Sequence, residues 1–197
     1  MSVQLMPSQK ISLENILRLE TEDYRRNNII LFGRPQTGKS ELAKYLSKNH
    51  ENYIYKNFTE EYLGKFLSGK RLGGIMMPDL QFFLRETFLK FQNQNKIIIL
   101  DEIDSIIPVI TKNENHANLI LYKQFLTMDQ PLKYIFMTSY FEENTVRELV
   151  SEFGNRVIVL NFLKRDKDFI AKNYFNNIKL FDYDEITNLR QMFNKKS

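Results

Sequence analysis

The residues with the most chemical content lie near the start of the chain. Gly33-Arg34-Pro35-Gln36-Thr37-Gly38-Lys39-Ser40 matches G-x-x-x-x-G-K-[ST] at every fixed position. Glycines at both ends of such a loop let successive backbone N–H groups turn into one concavity, and a following helix adds its positive end, which suits a polyphosphate. Lys39 is placed to reach the β- and γ-phosphates of a nucleotide, and Ser40 to offer its hydroxyl to Mg²⁺. The whole loop, Gly33 to Ser40, is the expected cofactor site, for the phosphates of a nucleotide and for Mg²⁺.

A second group lies 68 residues on from Gly33 (101 minus 33), where Ile97-Ile98-Ile99-Leu100 ends in Asp101-Glu102. Active residues of parallel sheets gather at the carboxyl ends of the strands. Asp101 is the expected metal residue, and Glu102 is placed to orient or deprotonate an attacking water. Asp104 reads as a helix cap or a solvated acid. Tyr134-Ile135-Phe136-Met137 ends in Thr138-Ser139, either of which could hydrogen-bond that water or the γ-phosphate. Arg156, ahead of the last apolar run, fits an arginine offered to a neighbour's γ-phosphate, with Arg147 as its rival.

Composition removes other chemistries. With no cysteine there is no thiolate for zinc or for nucleophilic attack. The two histidines, His50 and His116, lie near no nucleophile-elbow pattern and read as surface or helix-end residues. Hydrophobic residues at 43% and charged residues at 26% fit a folded globular chain of 197 residues. The net charge of +4 permits contact with a polyanion. No run nears the roughly 18 apolar residues of a membrane span, so no membrane partner is expected. Met1 to Lys10 shows no signal-peptide pattern, which with the missing cysteines favours a cytoplasmic setting.

These residues need elements to hold them. Ser12 fits the cap of a helix running to about Tyr24. Ile29 to Phe32 and Ile97 to Leu100 read as buried strands, Lys39 to about Asn49 as a helix with Leu42, Tyr45 and Leu46 inward, and Tyr53 to Phe58 as an alternating strand. Thr59 fits the cap of a helix through about Leu67, and a helix after Pro78 presents Leu80, Phe83, Leu84, Phe88 and Phe91. Further helices fit Asn115 to Met128, the stretch around Val146 to Phe153, Asp166 to Phe175 and Asp184 to Phe193, with strands at Tyr134 to Thr138 and Val157 to Phe162. Strands alternating with helices imply parallel pairing, and wholly apolar strands imply a sheet covered on both faces. The expected fold is α/β, three-layered, with a parallel five-stranded sheet. The expected division is a helical segment at 1–27, a P-loop core at 28–162 and a reduced helical lid, or short helical tail, at 163–197.

From about Asn28 to Phe162, GRPQTGKS, IIILDEID, the polar end of FMTSY and NRVIVLNF together resemble the AAA+ ATPases. The resemblance implies the strand order 5-1-4-3-2 and a nucleotide held between subunits. It implies phosphate and Mg²⁺ roles for Lys39 and Ser40, metal and catalytic acids in Asp101 and Glu102, a first sensor in Thr138 or Ser139, and an arginine finger in Arg156. Asn is frequent at the sensor position in that family, and a full lid is longer than residues 163–197 and carries a second sensor arginine, a role that Arg190 fits poorly.

Within the family, the chain is similar to bacterial helicase loaders and to the small P-loop protein of bacteriophage-exclusion (BREX) defence systems. Both imply an ATP-hydrolysing module in a larger protein complex and leave a homo-oligomer and DNA contact open. The alternatives are a nucleotide-gated scaffold with little turnover and a small-molecule kinase, the latter disfavoured by Glu102. Tyr62-Leu63-Gly64-Lys65 resembles an aromatic pore loop but also suits a helix face, and Ser68 to Met77 reads as a surface loop or a phosphate-backbone track.

Overall fold

The computed structural model describes residues 4–21, 28–60, 86–103, 132–139, 151 and 156–174. Its described elements, in chain order, are helix α1 (Pro7–Thr21), strand β1 (Ile29–Phe32), helix α2 (Lys39–Asn49), strands β2 (Tyr53–Asn57), β3 (Ile97–Asp101), β4 (Lys133–Thr138) and β5 (Val157–Val159), and helix α3 (Lys164–Tyr174). The helices expected at Asn115 to Met128, around Val146 to Phe153 and at Asp184 to Phe193 fall wholly or almost wholly outside the described residues, as do His116, Asp104, Arg147, Arg190, Tyr62 to Lys65 and Ser68 to Met77.

All strand pairs are parallel, and the sheet order is β2-β3-β4-β1-β5, the order implied by the resemblance read from its other edge. Side chains alternate across a sheet, so residue parity decides which face each occupies. One face collects Leu31, Ile97, Ile99, Ile135, Met137 and Ile158 against Ile16 and Leu19 of α1 and Leu42, Ala43 and Leu46 of α2. The other face carries Ile30, Ile98, Leu100, Tyr134 and Phe136, also buried, with Tyr134 and Phe136 stacked 5.4 Å apart. Burial of both faces explains why these strands read as unbroken apolar runs.

Helix starts differ from the sequence expectation at three places. The first helix begins at Pro7, not at Ser12, which is buried within it. Proline suits a first helical position because its missing N–H would have no intrahelical partner. Gln9 then reaches back, its Oε1 accepting the Met6 N–H at 2.8 Å, which is half of a capping box. The helix after β2 is capped by Asn57, not Thr59: Asn57 Oδ1 accepts the Glu60 N–H at 3.0 Å, which also ends the strand at Asn57 rather than Phe58. Similarly, β5 stops at Val159, and Leu163 becomes the cap of α3, with its N–H donated to Asp166 Oδ2 at 2.7 Å.

Asp166 joins two elements. Its Oδ1 accepts the Ser8 N–H of α1 at 2.8 Å, so one fully buried carboxylate serves the N-terminal ends of α1 and α3. Both ends present unpaired N–H groups and partial positive charge, which stabilise the buried anion. Through α1 the joint reaches the phosphate loop, because Gln9 Nε2 donates to the Gly38 carbonyl at 2.8 Å.

Candidate functional site

The loop from Gly33 to Gly38 leaves β1 at the carboxyl edge of the sheet and opens α2. Its glycines are required by space and angle. A Cβ on Gly33 would stand 2.6 Å from the Leu160 carbonyl oxygen and 2.8 Å from Thr37 Oγ1. Gly38 lies at φ 92°, and a Cβ there would meet Gln9 Nε2 at 2.7 Å and Met6 Cε at 2.9 Å. Gln36 is also left-handed, at φ 63°. Successive turns of this kind make the concave array of N–H groups that holds anions. Thr37 is buried and braces the loop, its hydroxyl donating to the Arg34 carbonyl at 2.9 Å, while Arg34, Pro35 and Gln36 are exposed at the tip.

Lys39 is buried, and its ammonium lies on the loop itself. It donates to the Gly33 carbonyl at 2.6 Å, the Arg34 carbonyl at 3.1 Å and Ser139 Oγ at 3.0 Å. Ser40 follows in the first turn of α2, half-buried.

Ser139 comes to Lys39 because of parity. The β3–β4 register pairs Leu100 with Phe136, so Asp101 stands level with Met137, and Ser139 is two residues beyond on the same face. Thr138 points to the opposite face and is 1% exposed, and its carbonyl accepts the Gly33 N–H at 3.2 Å. Of the two candidates, Ser139 has the side chain that meets the phosphate loop.

Asp101 ends β3 and is buried. Its Oδ1 accepts the Glu102 N–H at 2.9 Å, and its Oδ2 accepts the Tyr55 hydroxyl at 2.8 Å. Burial, and after it the hydrogen bond and charge of Asp101, push the Tyr55 hydroxyl well above its ordinary pKa, so it stays protonated as a donor. Glu102 is exposed and lies at φ 57°, a left-handed conformation that costs a non-glycine residue about 1–2 kcal/mol. The left-handed turn ends β3 at Asp101 and leaves Glu102 exposed rather than in the core.

Arg156 does not join this group. Val157 pairs with Ile30, which places Arg156 at the amino edge of the sheet, level with Ile29. Gly33 lies four residues further along, about 13 Å away at the usual strand rise. Arg156 instead lines a small hollow with Leu19, Glu20, Ile29, Ile97, Lys133 and Tyr134.

Tyr55, Gln9 and Asp166 are absent from the sequence-based site. Pro7 at a first helical position with Gln9 two residues on could have pointed to Gln9. Tyr55 needed the β2–β3 register, which no local pattern carries.

Among the described residues, no cluster of three or more His, Cys, Asp or Glu side chains could hold a metal, and no helix is long and apolar enough to cross a membrane. One carboxylate and one hydroxyl, Asp101 and Ser40, are hard oxygen donors of the kind that suit Mg²⁺ when water and phosphate complete its shell.

A parallel sheet with a glycine-bounded phosphate loop after its first strand, and an acid at the end of the strand two places away, defines a P-loop nucleotide-binding protein. The family model "ATPase family associated with various cellular activities (AAA)" matches residues 29–162, and the chain belongs to that family. Comparison with curated proteins finds no match. Among solved structures the chain is similar to AMPPCP-bound DnaA from Aquifex aeolicus (TM-score 0.51, 14% identity, covering 98% of this chain and 62% of that one). It is also similar to the replication initiator DnaA bound to AMPPCP and single-stranded DNA (0.50, 16%, 99% and 61%). A third similar structure is that of a DNA replication initiation factor (0.55, 15%, 99% and 61%). The chain thus spans about three fifths of the length of the structures it matches, and at these identities the likeness is one of fold.

Proposed function

We propose that this protein is a Mg²⁺-dependent ATP-binding and ATP-hydrolysing module that works within a larger, DNA-associated assembly. The observation that carries the reading is the meeting of Lys39, Ser139 and the loop carbonyls at 2.6–3.1 Å, on the face and edge of the sheet that also hold Asp101. In this reading the loop N–H groups and Lys39 bind the phosphates, and Ser40 and Asp101 hold Mg²⁺, which supplies neutralisation of phosphate charge when bound. Glu102, placed outside the core by its left-handed backbone, orients and deprotonates the attacking water. Ser139, bonded to Lys39, reports and steadies the γ-phosphate.

Arg156 completes the site from a neighbouring copy. Its place at the far edge of the sheet supports this, since Arg156 lies about 13 Å along the strands from Gly33 of its own chain. DNA association rests on the resemblance to helicase loaders, on the net charge of +4, and on the similarity in fold to a replication initiator bound to single-stranded DNA.

The test is steady-state ATP hydrolysis across a range of protein concentrations, with Lys39→Ala as the control. The expected result is specific activity that rises with concentration and is absent from Lys39→Ala. Tight ATP binding without turnover at any concentration, with or without single-stranded DNA, would replace the hydrolase reading with a nucleotide-gated scaffold.

A further inference from the structure

Tyr55 lies in β2, two residues before Asn57, and Asn57 pairs with Asp101 in the parallel register. Tyr55 and Asp101 therefore share a face as diagonal neighbours, a separation that a long aromatic side chain can span. Its hydroxyl donates to Asp101 Oδ2 at 2.8 Å, while the Glu102 N–H donates to Oδ1 at 2.9 Å. With one donor on each oxygen the carboxylate cannot rotate without breaking a bond. Each oxygen still keeps lone-pair capacity for a further partner.

The ring has a second attachment. Lys44 Nζ stands 5.7 Å from the Tyr55 ring centroid. Lys44 is one helical turn beyond Ser40, on the same face of α2. Tyr55 thus lies between the helix that carries Ser40 and the strand that carries Asp101, the two groups assigned above to the cation.

We infer that Tyr55 is a positioning residue, whose hydroxyl fixes the Asp101 carboxylate in the orientation that receives the hydrated cation accompanying the nucleotide. The inference rests on the ATP-binding reading above. Removing a hydrogen-bond partner of a metal-holding carboxylate typically lowers metal affinity by about 10–100-fold.

The test uses the full chain and a fluorescent ATP analogue, mant-ATP, with its affinity measured in EDTA and across a Mg²⁺ titration. Wild type is expected to bind in EDTA and to tighten as Mg²⁺ is added. Tyr55→Phe, which keeps the ring and its contact with Lys44, is expected to match wild type in EDTA but to need about tenfold more Mg²⁺ for the same tightening. Asp101→Asn should lose most of the tightening. Circular dichroism and thermal unfolding of Tyr55→Phe separate this from a fold defect, which would lower binding in EDTA as well. A Mg²⁺ titration of Tyr55→Phe that overlays wild type, or a parallel loss in EDTA and Mg²⁺, would overturn the role of Tyr55 and leave the ATP-binding reading standing. A wild type that binds no mant-ATP under either condition would overturn that reading and this inference with it.

Discussion

At Gly38 the backbone stands at φ 92°, with the side chains of Gln9 and Met6 where a Cβ would go. Gly38→Ala meets both problems at once: a left-handed alanine costs about 1–2 kcal/mol, and the start of α1 must shift. The expected result is a loss of at least that stability in urea unfolding, with weaker ATP binding. Ser139→Ala leaves Lys39 its two loop carbonyls, so ATP affinity should stay near wild type while turnover falls, by about 100-fold if the hydroxyl acts mainly on the reacting state. Single-turnover kinetics would show the split. Equal losses of binding and turnover would instead make Ser139 a ground-state contact. Tyr134 offers a different test, because its hydroxyl is buried and finds no hydrogen-bond partner among the described residues. Burial pushes its pKa up to about 12, so folding favours the neutral phenol. The stability tied to that preference is complete below pH 10 and is lost as pH rises from 10 to 12. Tyr134→Phe should raise the melting temperature at pH 7 and remove that part of the alkaline loss, since an unsatisfied buried hydroxyl costs about 1–3 kcal/mol.

Among the elements, β1, β3 and α2 were the most legible. Ile29 to Phe32 and Ile97 to Leu100 have no polar residue because both faces of the sheet are covered, and α2 keeps the bounds that its spacing gave. The phosphate loop was legible for a related reason: its chemistry needs a contiguous run of residue types. What the sequence did not carry was anything set by register or by contact across the chain. Thr138 and Ser139 are adjacent and both polar, and only the pairing of β4 with β1 and β3 shows which one meets Lys39. Ser12 looked like a cap, yet the helix starts at Pro7 because Gln9 and the distant Asp166 take the Met6 and Ser8 N–H groups. That joint between α1 and α3 yields its own prediction. Asp166→Ala leaves two N–H groups without their acceptor, each worth about 1–3 kcal/mol if it stays buried. The expected loss is about 3 kcal/mol in chemical denaturation, with Asp166→Asn in between, because its remaining oxygen can still serve one donor. A loss below about 0.5 kcal/mol for Asp166→Ala, the range of ordinary surface substitutions, would show that the joint contributes little.

At the scale of the whole molecule, the sheet separates two chemical ends. Lys39, Asp101 and Ser139 occupy the carboxyl edge, and Arg156 occupies the amino edge. A site completed by Arg156 must then be shared between copies, which mixing can reveal. Lys39→Ala and Arg156→Ala should each be inactive alone, and an equimolar mixture should recover part of the wild-type activity through interfaces that pair an intact loop with an intact arginine. No recovery across concentrations at which wild type is active would place the stimulating group elsewhere.

The proposed function depends first on nucleotide held in the loop from Gly33 to Ser40 through Lys39. Calorimetric titration of ATP into the full chain, in Mg²⁺ and beside Lys39→Ala, tests it most directly. Wild type is expected to show one saturable site per chain, and Lys39→Ala to bind about a hundredfold more weakly or worse, the scale of losing a buried charged hydrogen-bond donor. Equal affinity in the two proteins, or no binding to wild type, would contradict it.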